Sequence, residues 1–262
     1  MGIDSSGLVA GVAVVEDDVL LAEYNVNYKK THSQTLLPML DEVRKMLDFD
    51  MESIDAIAVA SGPGSFTGLR IGSATAKGLG LALEKPIVEV PTLEGLAYNL
   101  CGAKSLVCPL IDARRNQVYT GVYVFEGNVP RAVETQAAVD ISDIVGTLNE
   151  MGQREPGTEV IFLGDGVPVY RDKIEDGLKI PFSYAPASAN RQRAGSVAAL
   201  GAVYFAQGKA VPAGEHRPEY LRKSQAERER QEAEIRGVAG TGTGQKAEIR
   251  NAAETSAGQE TI

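Results

Sequence analysis

A glycine-rich turn in the first third of the chain has the residue types and spacing of an anion-binding loop. Its sequence, Ser61-Gly-Pro-Gly-Ser-Phe-Thr-Gly68, separates an apolar run from a helical pattern that extends to about Leu83. A strand, a glycine turn and a helix N-terminus direct several backbone N–H groups to one point, which is how proteins cradle phosphate groups. The alternative is a tight turn that only packs. The residues that would form the anion site are Gly62, Gly64, Ser65, Gly68 and Arg70.

Other catalytic patterns are weak in this sequence. No Gly-Lys-Ser/Thr follows the glycines at the spacing of a Walker loop, and Ser65 lacks the Gly-x-Ser-x-Gly elbow of hydrolases. The two histidines, His32 and His216, are too few for a metal cluster, and the two cysteines are expected to be buried free thiols. The pattern Gly62-x-Gly64-x-x-x-Gly68 resembles a dinucleotide fingerprint. It keeps open the alternative of a nucleotide- or dinucleotide-binding enzyme.

Length and composition favour a soluble cytoplasmic protein with a large core. The chain has 262 residues, of which 44% are hydrophobic, and it lacks an apolar run near 20 residues, so no membrane contact is expected. The first residues form neither a basic region nor an apolar signal segment. The net charge of -9 argues against this chain alone being the main nucleic-acid surface. A basic partner would be needed for that role.

The order of predicted strands and helices occurs twice and indicates an α/β protein of two similar lobes. The segments Gly11-Val-Ala-Val-Val-Glu-Asp-Asp-Val19 and Gly121-Val-Tyr-Val-Phe-Glu-Gly-Asn-Val129 share five of nine residues, and each lies soon after an Ile-Asp pair. We expect lobes at residues 1–100 and 101–223, with a helix from about residue 193 closing back onto the sheet. Residues 224–262 have no aromatic residue and are expected to form a disordered tail.

Two predicted helices have surfaces suited to a partner. The helix from about Ser33 to Leu47 carries more apolar residues than one core face needs, and small residues recur every four positions in the helix that follows the glycine turn. The alternative is that the two helices pack on each other within the first lobe. The predicted interface residues are Leu36, Leu37, Met39, Leu40, Val43, Gly72 and Ala76. Without its partner, the chain would bury this apolar face as a homodimer.

Several motifs together resemble the TsaB (YeaZ) family over residues 1 to about 222. They are Ile-Asp-Ser-Ser at 3–6, His32 before Leu-Leu-Pro, the glycine motif through Gly72, Ile-Asp-Ala-Arg at 111–114 and Pro218-x-Tyr-Leu-Arg222. The resemblance implies an actin/Hsp70-like fold (ASKHA, RNase H-like) with β-β-β-α-β-α lobes. It also implies a non-catalytic subunit without a cofactor, which pairs with a TsaD-like enzyme and a TsaE-like ATPase. That machinery makes threonylcarbamoyladenosine in tRNA, and this subunit would meet tRNA only through the complex.

The resemblance also assigns positions to two acidic residues and shows that a histidine pair of the related enzymes is missing here. Asp4 and Asp112 stand where actin-like proteins have phosphate-loop acids, but Ser5-Ser6 and Arg114-Arg115 replace the small turns that such loops need. A degenerate nucleotide or anion site is therefore expected. TsaD-like enzymes carry His-x-x-x-His on the first long helix, whereas this chain has Leu36 one turn after His32. His32 is accordingly expected to cap or pack.

Overall fold

A computed structural model describes residues 1–28 and 32–221 and has an α/β architecture. The strands are β1 Gly2–Asp4, β2 Val9–Glu16, β3 Val19–Asn27, β4 Ile57–Gly62, β5 Ile87–Pro91, β6 Leu106–Arg114, β7 Gln117–Glu126, β8 Val129–Asp140, β9 Val160–Leu163, β10 Phe182–Tyr184 and β11 Ala210–Val211. The helices are α1 His32–Leu47, α2 Phe66–Ala82, α3 Thr92–Ala97, α4 Ile141–Arg154, α5 Val167–Gly177 and α6 Ala194–Ala206. Within the described ranges, none of these helices has both the length and the apolarity to cross a membrane.

The strands form two sheets. When the strands of each lobe are numbered along the chain, the first five have the same spatial order in both sheets, fifth-fourth-first-second-third. In the first sheet the order is β11-β5-β4-β1-β2-β3, and in the second it is β10-β9-β6-β7-β8. In both sheets the first strand of the lobe is antiparallel to the second and parallel to the fourth. The predicted repeat of β-β-β-α-β-α topology is therefore confirmed, and with it the actin/Hsp70-like fold class.

The segments that share five of nine residues form matching hairpins. Glu16 pairs with Val19 at the tip of the β2–β3 hairpin, and Glu126 pairs with Val129 at the tip of the β7–β8 hairpin. Two-residue loops of this kind fix the register of both strands. The sequence similarity thus marks structurally equivalent positions.

Each sheet has helices on both faces. Helices α1 and α2 cover one face of the first sheet, and their buried side chains join those of β1, β2 and β4 in one core cluster. Helix α6 packs on the other face of that sheet. In the second sheet, α4 and α5 cover one face and α3 covers the other. Helix α3 also contacts α6, so these two helices lie between the sheets.

The end of the described chain returns to the first sheet. Strand β11 pairs with β5, and α6 contacts β1, β2 and β4. The expected return of the chain after residue 193 is confirmed. The lobe boundaries at residues 1–100 and 101–223 stay a prediction, and the expected tail at 224–262 lies outside the described residues.

Candidate functional site

The glycine turn uses its backbone donors within the chain. Ser65 N–H donates to the carbonyl of Ser6 at 2.7 Å, and Gly68 N–H donates to Ser65 Oγ at 3.3 Å. Gly62 N–H donates to Thr92 Oγ1 at 3.1 Å. Ser65 is therefore the N-cap of α2. These three N–H groups are satisfied within the chain, which favours the packing alternative.

The glycines of the turn are needed because the loop after β1 lies directly against them. A Cβ at Gly64 would lie 2.3 Å from the Ser6 carbonyl oxygen, and a Cβ at Gly68 would lie 2.1 Å from the Ser5 carbonyl oxygen. Both distances are far inside van der Waals contact, and both neighbouring atoms belong to the backbone. The Ser5-Ser6 loop thus packs directly against the glycines of the turn.

Replacing Gly68 with alanine is expected to destabilise the fold. The new Cβ must displace the Ser5 backbone, and overpacking of this kind costs about 3 kcal/mol. For a chain of this size that lowers Tm by roughly 6–12 °C, which thermal unfolding followed by circular dichroism would measure. Gly78→Ala on the same helix is the matched control, since a Cβ at Gly78 meets nothing within 4 Å. The control should gain about 0.5–1 kcal/mol, and equal behaviour of the two variants would contradict the packing role.

Asp4 organises the loop that fills the turn. Its carboxylate is buried and accepts hydrogen bonds from Ser6 N–H at 2.8 Å and from Ser6 Oγ at 2.7 Å. Burial raises the pKa of Asp4 despite these hydrogen bonds. His32 Nε2 lies 2.8 Å from the carbonyl oxygen of Gly7, at the end of the same loop. Both side chains therefore hold the loop in place.

The raised pKa of Asp4 predicts a pH dependence of stability. The folded chain binds this proton more tightly than the unfolded chain, whose pKa lies near 3.8. The resulting stabilisation is complete below pH 3.8 and is lost as pH rises through the folded-state pKa. The free energy of unfolding of the wild type, minus that of Asp4→Asn, should therefore fall as pH increases from 3.8. Urea titrations across this range would test it, and parallel pH profiles for the two proteins would contradict it.

Asp112 has the equivalent position in the second lobe but contacts different groups. Its carboxylate accepts hydrogen bonds from Arg114 N–H at 2.9 Å and from the Tyr170 hydroxyl at 3.0 Å. Its own N–H donates to Asp165 Oδ1 at 3.1 Å. Burial, followed by the Asp112 carboxylate, raises the pKa of Tyr170 to about 12, so the hydroxyl remains a donor. The structure brings Asp4 to the glycine turn and places Asp112 at the β6–β7 hairpin.

Arg70 lies over an aromatic ring on the exposed side of α2. Its guanidinium carbon is 4.2 Å from the centroid of the Phe66 ring. The Phe66 and Tyr220 rings also contact each other in a tilted arrangement, with their centroids 4.7 Å apart. Glu219 N–H donates to the carbonyl of Ser61 at 2.7 Å, which fixes the approach of this C-terminal segment to the turn. No periodic pattern in the sequence links Tyr220 to Phe66, although the Pro218-x-Tyr-Leu-Arg222 motif was an available signal.

Most of the predicted interface residues lie in the core of the first lobe. Leu36, Met39, Leu40, Val43 and Ala76 belong to one buried cluster, with 0–6% of their surface exposed. A Cβ at Gly72, which is also buried, would lie 2.3 Å from Ser5 Oγ. Leu37 is 54% exposed. The apolar stripe on α1 faces the sheet, so Leu37 is the member of this set with substantial access to a partner.

A different row of residues, with small side chains at its centre, is exposed on α2. Its residues are spaced three or four apart and lie on one face of the helix. We call this set the α2 outer stripe: Thr67, Arg70, Ala74, Gly78 and Leu81. Leu81 is 62% exposed, and the space beside Gly78 is open within 4 Å. Small side chains at the centre of a helix face allow a second helix to approach closely.

In the parts of the chain that the structure covers, no group of three or more His, Cys, Asp or Glu side chains could hold a metal ion.

The sequence of this chain also matches a known protein family. The family model described as TsaD, tRNA N6-adenosine threonylcarbamoyltransferase, matches residues 20–230.

Similar proteins carry names from the same pathway. The tRNA threonylcarbamoyladenosine biosynthesis protein TsaB of Bacillus subtilis (strain 168) is 34% identical over 227 residues, which cover 87% of this chain and 95% of the relative. TsaB of Escherichia coli (strain K12) is 30% identical, covering 86% and 95%. The solved structure of YeaZ from Pseudomonas aeruginosa has a TM-score of 0.69 and 25% identity, covering 84% of this chain and 97% of that one. The chain therefore belongs to the TsaB (YeaZ) family of tRNA threonylcarbamoyladenosine biosynthesis proteins.

Proposed function

We propose that this chain is a non-catalytic scaffold subunit that pairs with a TsaD-like enzyme. In the cytoplasm, the pair and a TsaE-like ATPase would make N6-threonylcarbamoyladenosine in tRNA, and this chain would meet tRNA only within the complex. The observation that carries the proposal is the α2 outer stripe, a helical face that is exposed in the isolated chain and has small residues at its centre.

The stripe has the properties of a helix-docking surface. Ala74 and Gly78 are small residues in the middle of the face, and the larger side chains of Arg70 and Leu81 lie on either side of them. Complete burial of an exposed leucine contributes roughly 1.5–3 kcal/mol, and arginine is common among the residues that dominate binding energy. Leu37 on α1 can add to the same interface. A second copy of this chain would bury the same face in a homodimer when the enzyme is absent.

Two features support a subunit without its own catalytic centre. Leu36 is buried one turn after His32, at the place where the His-x-x-x-His pair of a TsaD-like enzyme would need its second ligand. The glycine turn is filled by the Ser5-Ser6 loop, and its N–H groups at Ser65 and Gly68 already have acceptors. The same contacts remove the geometric support for a nucleotide- or dinucleotide-binding enzyme at residues 62–68.

Reconstitution of the modification reaction tests the proposal. Purified TsaD-like enzyme and TsaE-like ATPase from the same genome would be supplied with tRNA and the threonylcarbamoyl donor, with and without this chain. We expect modified tRNA only when this chain and the enzyme are both present. Equal product without this chain, or product from this chain alone, would contradict the proposed role.

A further inference from the structure

The β6–β7 hairpin carries two arginines at an unusual backbone position. Arg114 pairs with Gln117, so Arg115 and Asn116 form a two-residue loop. The φ angles of Arg114, Arg115 and Asn116 are 65°, 57° and 62°. Positive φ at both loop residues is the geometry of a type I′ turn, which favours Asn, Asp and Gly. Arginine is a costly choice at such a position because its Cβ crowds the backbone.

The other tight hairpins in the described chain use residues that suit the turn. The β2–β3 loop is Asp17-Asp18, with a φ of 49° at Asp17. The β7–β8 loop is Gly127-Asn128, with a φ of 65° at Gly127. In each of these two loops the positive φ falls on a residue that suits it, an aspartate or a glycine. Residues held in sparsely populated backbone conformations cluster at active sites, ligand clamps and switch regions.

The base of the hairpin is braced, whereas its arginine side chains project into solvent. Asp112 accepts the Arg114 N–H and the Tyr170 hydroxyl, and Ile141 N–H donates to the Asn116 carbonyl at 3.1 Å. The Arg114 side chain is 88% exposed, with Nε 3.7 Å from Asp112 Oδ2. Arg115 is exposed and makes no hydrogen bond or ion pair with residues 1–28 or 32–221. The fold thus fixes the backbone and leaves the Arg115 guanidinium free.

We propose that the Arg114–Arg115 hairpin tip binds phosphate groups of the tRNA that is held by the complex. Guanidinium groups match phosphate oxygens in a bidentate geometry, and two of them on a braced tip lose little freedom on binding. Arg114 and Arg115 are two exposed cations on a chain whose net charge is -9, and Asp112 and Asp140 lie beside them. The tip would therefore add contacts to RNA that is held mainly by a partner. This inference rests on the proposed function, and it adds a direct RNA contact to it.

The test compares Arg115→Asn with Arg115→Lys and with Arg154→Asn. The assembled complex of this chain with the TsaD-like enzyme would be titrated with a tRNA transcript by fluorescence anisotropy at several salt concentrations. Arg115→Asn should weaken binding at least 3-fold and lower the salt slope of log K by about 1. Arg115→Lys should retain most of the binding. Arg154 is an exposed arginine on α4, 3.2 Å from Glu150, and its replacement changes the same net charge without an expected loss.

Thermal stability separates an RNA contact from a structural role. Asn suits positive φ, so Arg115→Asn should raise the Tm of the chain alone while it weakens RNA binding. An unchanged Kd and salt slope would overturn the inference. If Arg115→Asn impaired assembly with the enzyme but left the RNA affinity of the assembled complex unchanged, the RNA contact would be overturned, and Arg115 would instead contact the partner protein. Light scattering before RNA is added reports assembly separately, and a wild-type chain that does not assemble would overturn the proposed function and this inference together.

Discussion

The Gly78→Arg variant is expected to lose pairing with the TsaD-like enzyme while its fold stays intact. Gly78 lies at the centre of the α2 outer stripe, with open space within 4 Å of its Cβ position. Arginine replaces the least helix-favouring residue other than proline, so the free chain should gain about 0.5–1 kcal/mol. In the complex its long charged side chain would hold the partner helix away. We expect at least a 100-fold rise in Kd by isothermal titration calorimetry, about 2.7 kcal/mol.

Gly146→Arg is the matched control for this prediction. Gly146 is also an exposed glycine in the interior of a helix, α4, and a Cβ there also meets nothing within 4 Å. Its variant should gain similar stability and keep the wild-type Kd. If Gly78→Arg bound as tightly as Gly146→Arg, the α2 outer stripe would not be the docking face.

Ala76→Glu is expected to unfold the first lobe. Ala76 is 0% exposed and lies in the core cluster with Leu36 and Val43. Glutamate there would overpack the core and bury a carboxyl group among apolar side chains, at a combined cost on the order of 5 kcal/mol or more. That is comparable to the total stability of many domains, which is about 5–15 kcal/mol. Circular dichroism and urea unfolding should show a largely unfolded or strongly destabilised chain.

An exposed alanine near the end of α2 provides the control for Ala76→Glu. Ala82 is exposed, so Ala82→Glu should change the free energy of unfolding by less than about 0.5 kcal/mol. A stable, cooperatively folding Ala76→Glu chain that had selectively lost its partner would contradict the buried placement. It would restore the interface that the sequence predicted.

The fold could be predicted from the sequence because its signals are local. The Ile3-Asp4 and Ile111-Asp112 pairs, each in the first strand of a lobe, carry the duplicated order. Turn residues such as Gly127 mark the hairpin tips. Helix α5 completes the second β-β-β-α-β-α lobe, and Pro168 in its first turn is a local signal for its start. The spacing of Tyr170 and Ile174 matches one buried helical face.

The candidate site was harder to predict because it depends on contacts between distant segments. The number of apolar residues on α1 indicated more apolar surface than one core face needs. The sequence alone does not reveal that the sheet covers Leu36 and Val43. The glycine turn suggested an anion cradle, whereas the Ser5-Ser6 loop fills it through contacts across about 60 residues of chain, as in the Ser5 Oγ bond to the Gly68 carbonyl. Helical periodicity identifies an apolar face and not its neighbour.

Light scattering coupled to size-exclusion chromatography would show whether this chain pairs with a TsaD-like enzyme. The full chain would be run alone, and then mixed with the TsaD-like protein from the same genome, with and without nucleotide. We predict a homodimer for the chain alone and a one-to-one complex in the mixture. Separate elution of the two proteins in every nucleotide state would contradict the claim that this chain is a scaffold for the enzyme.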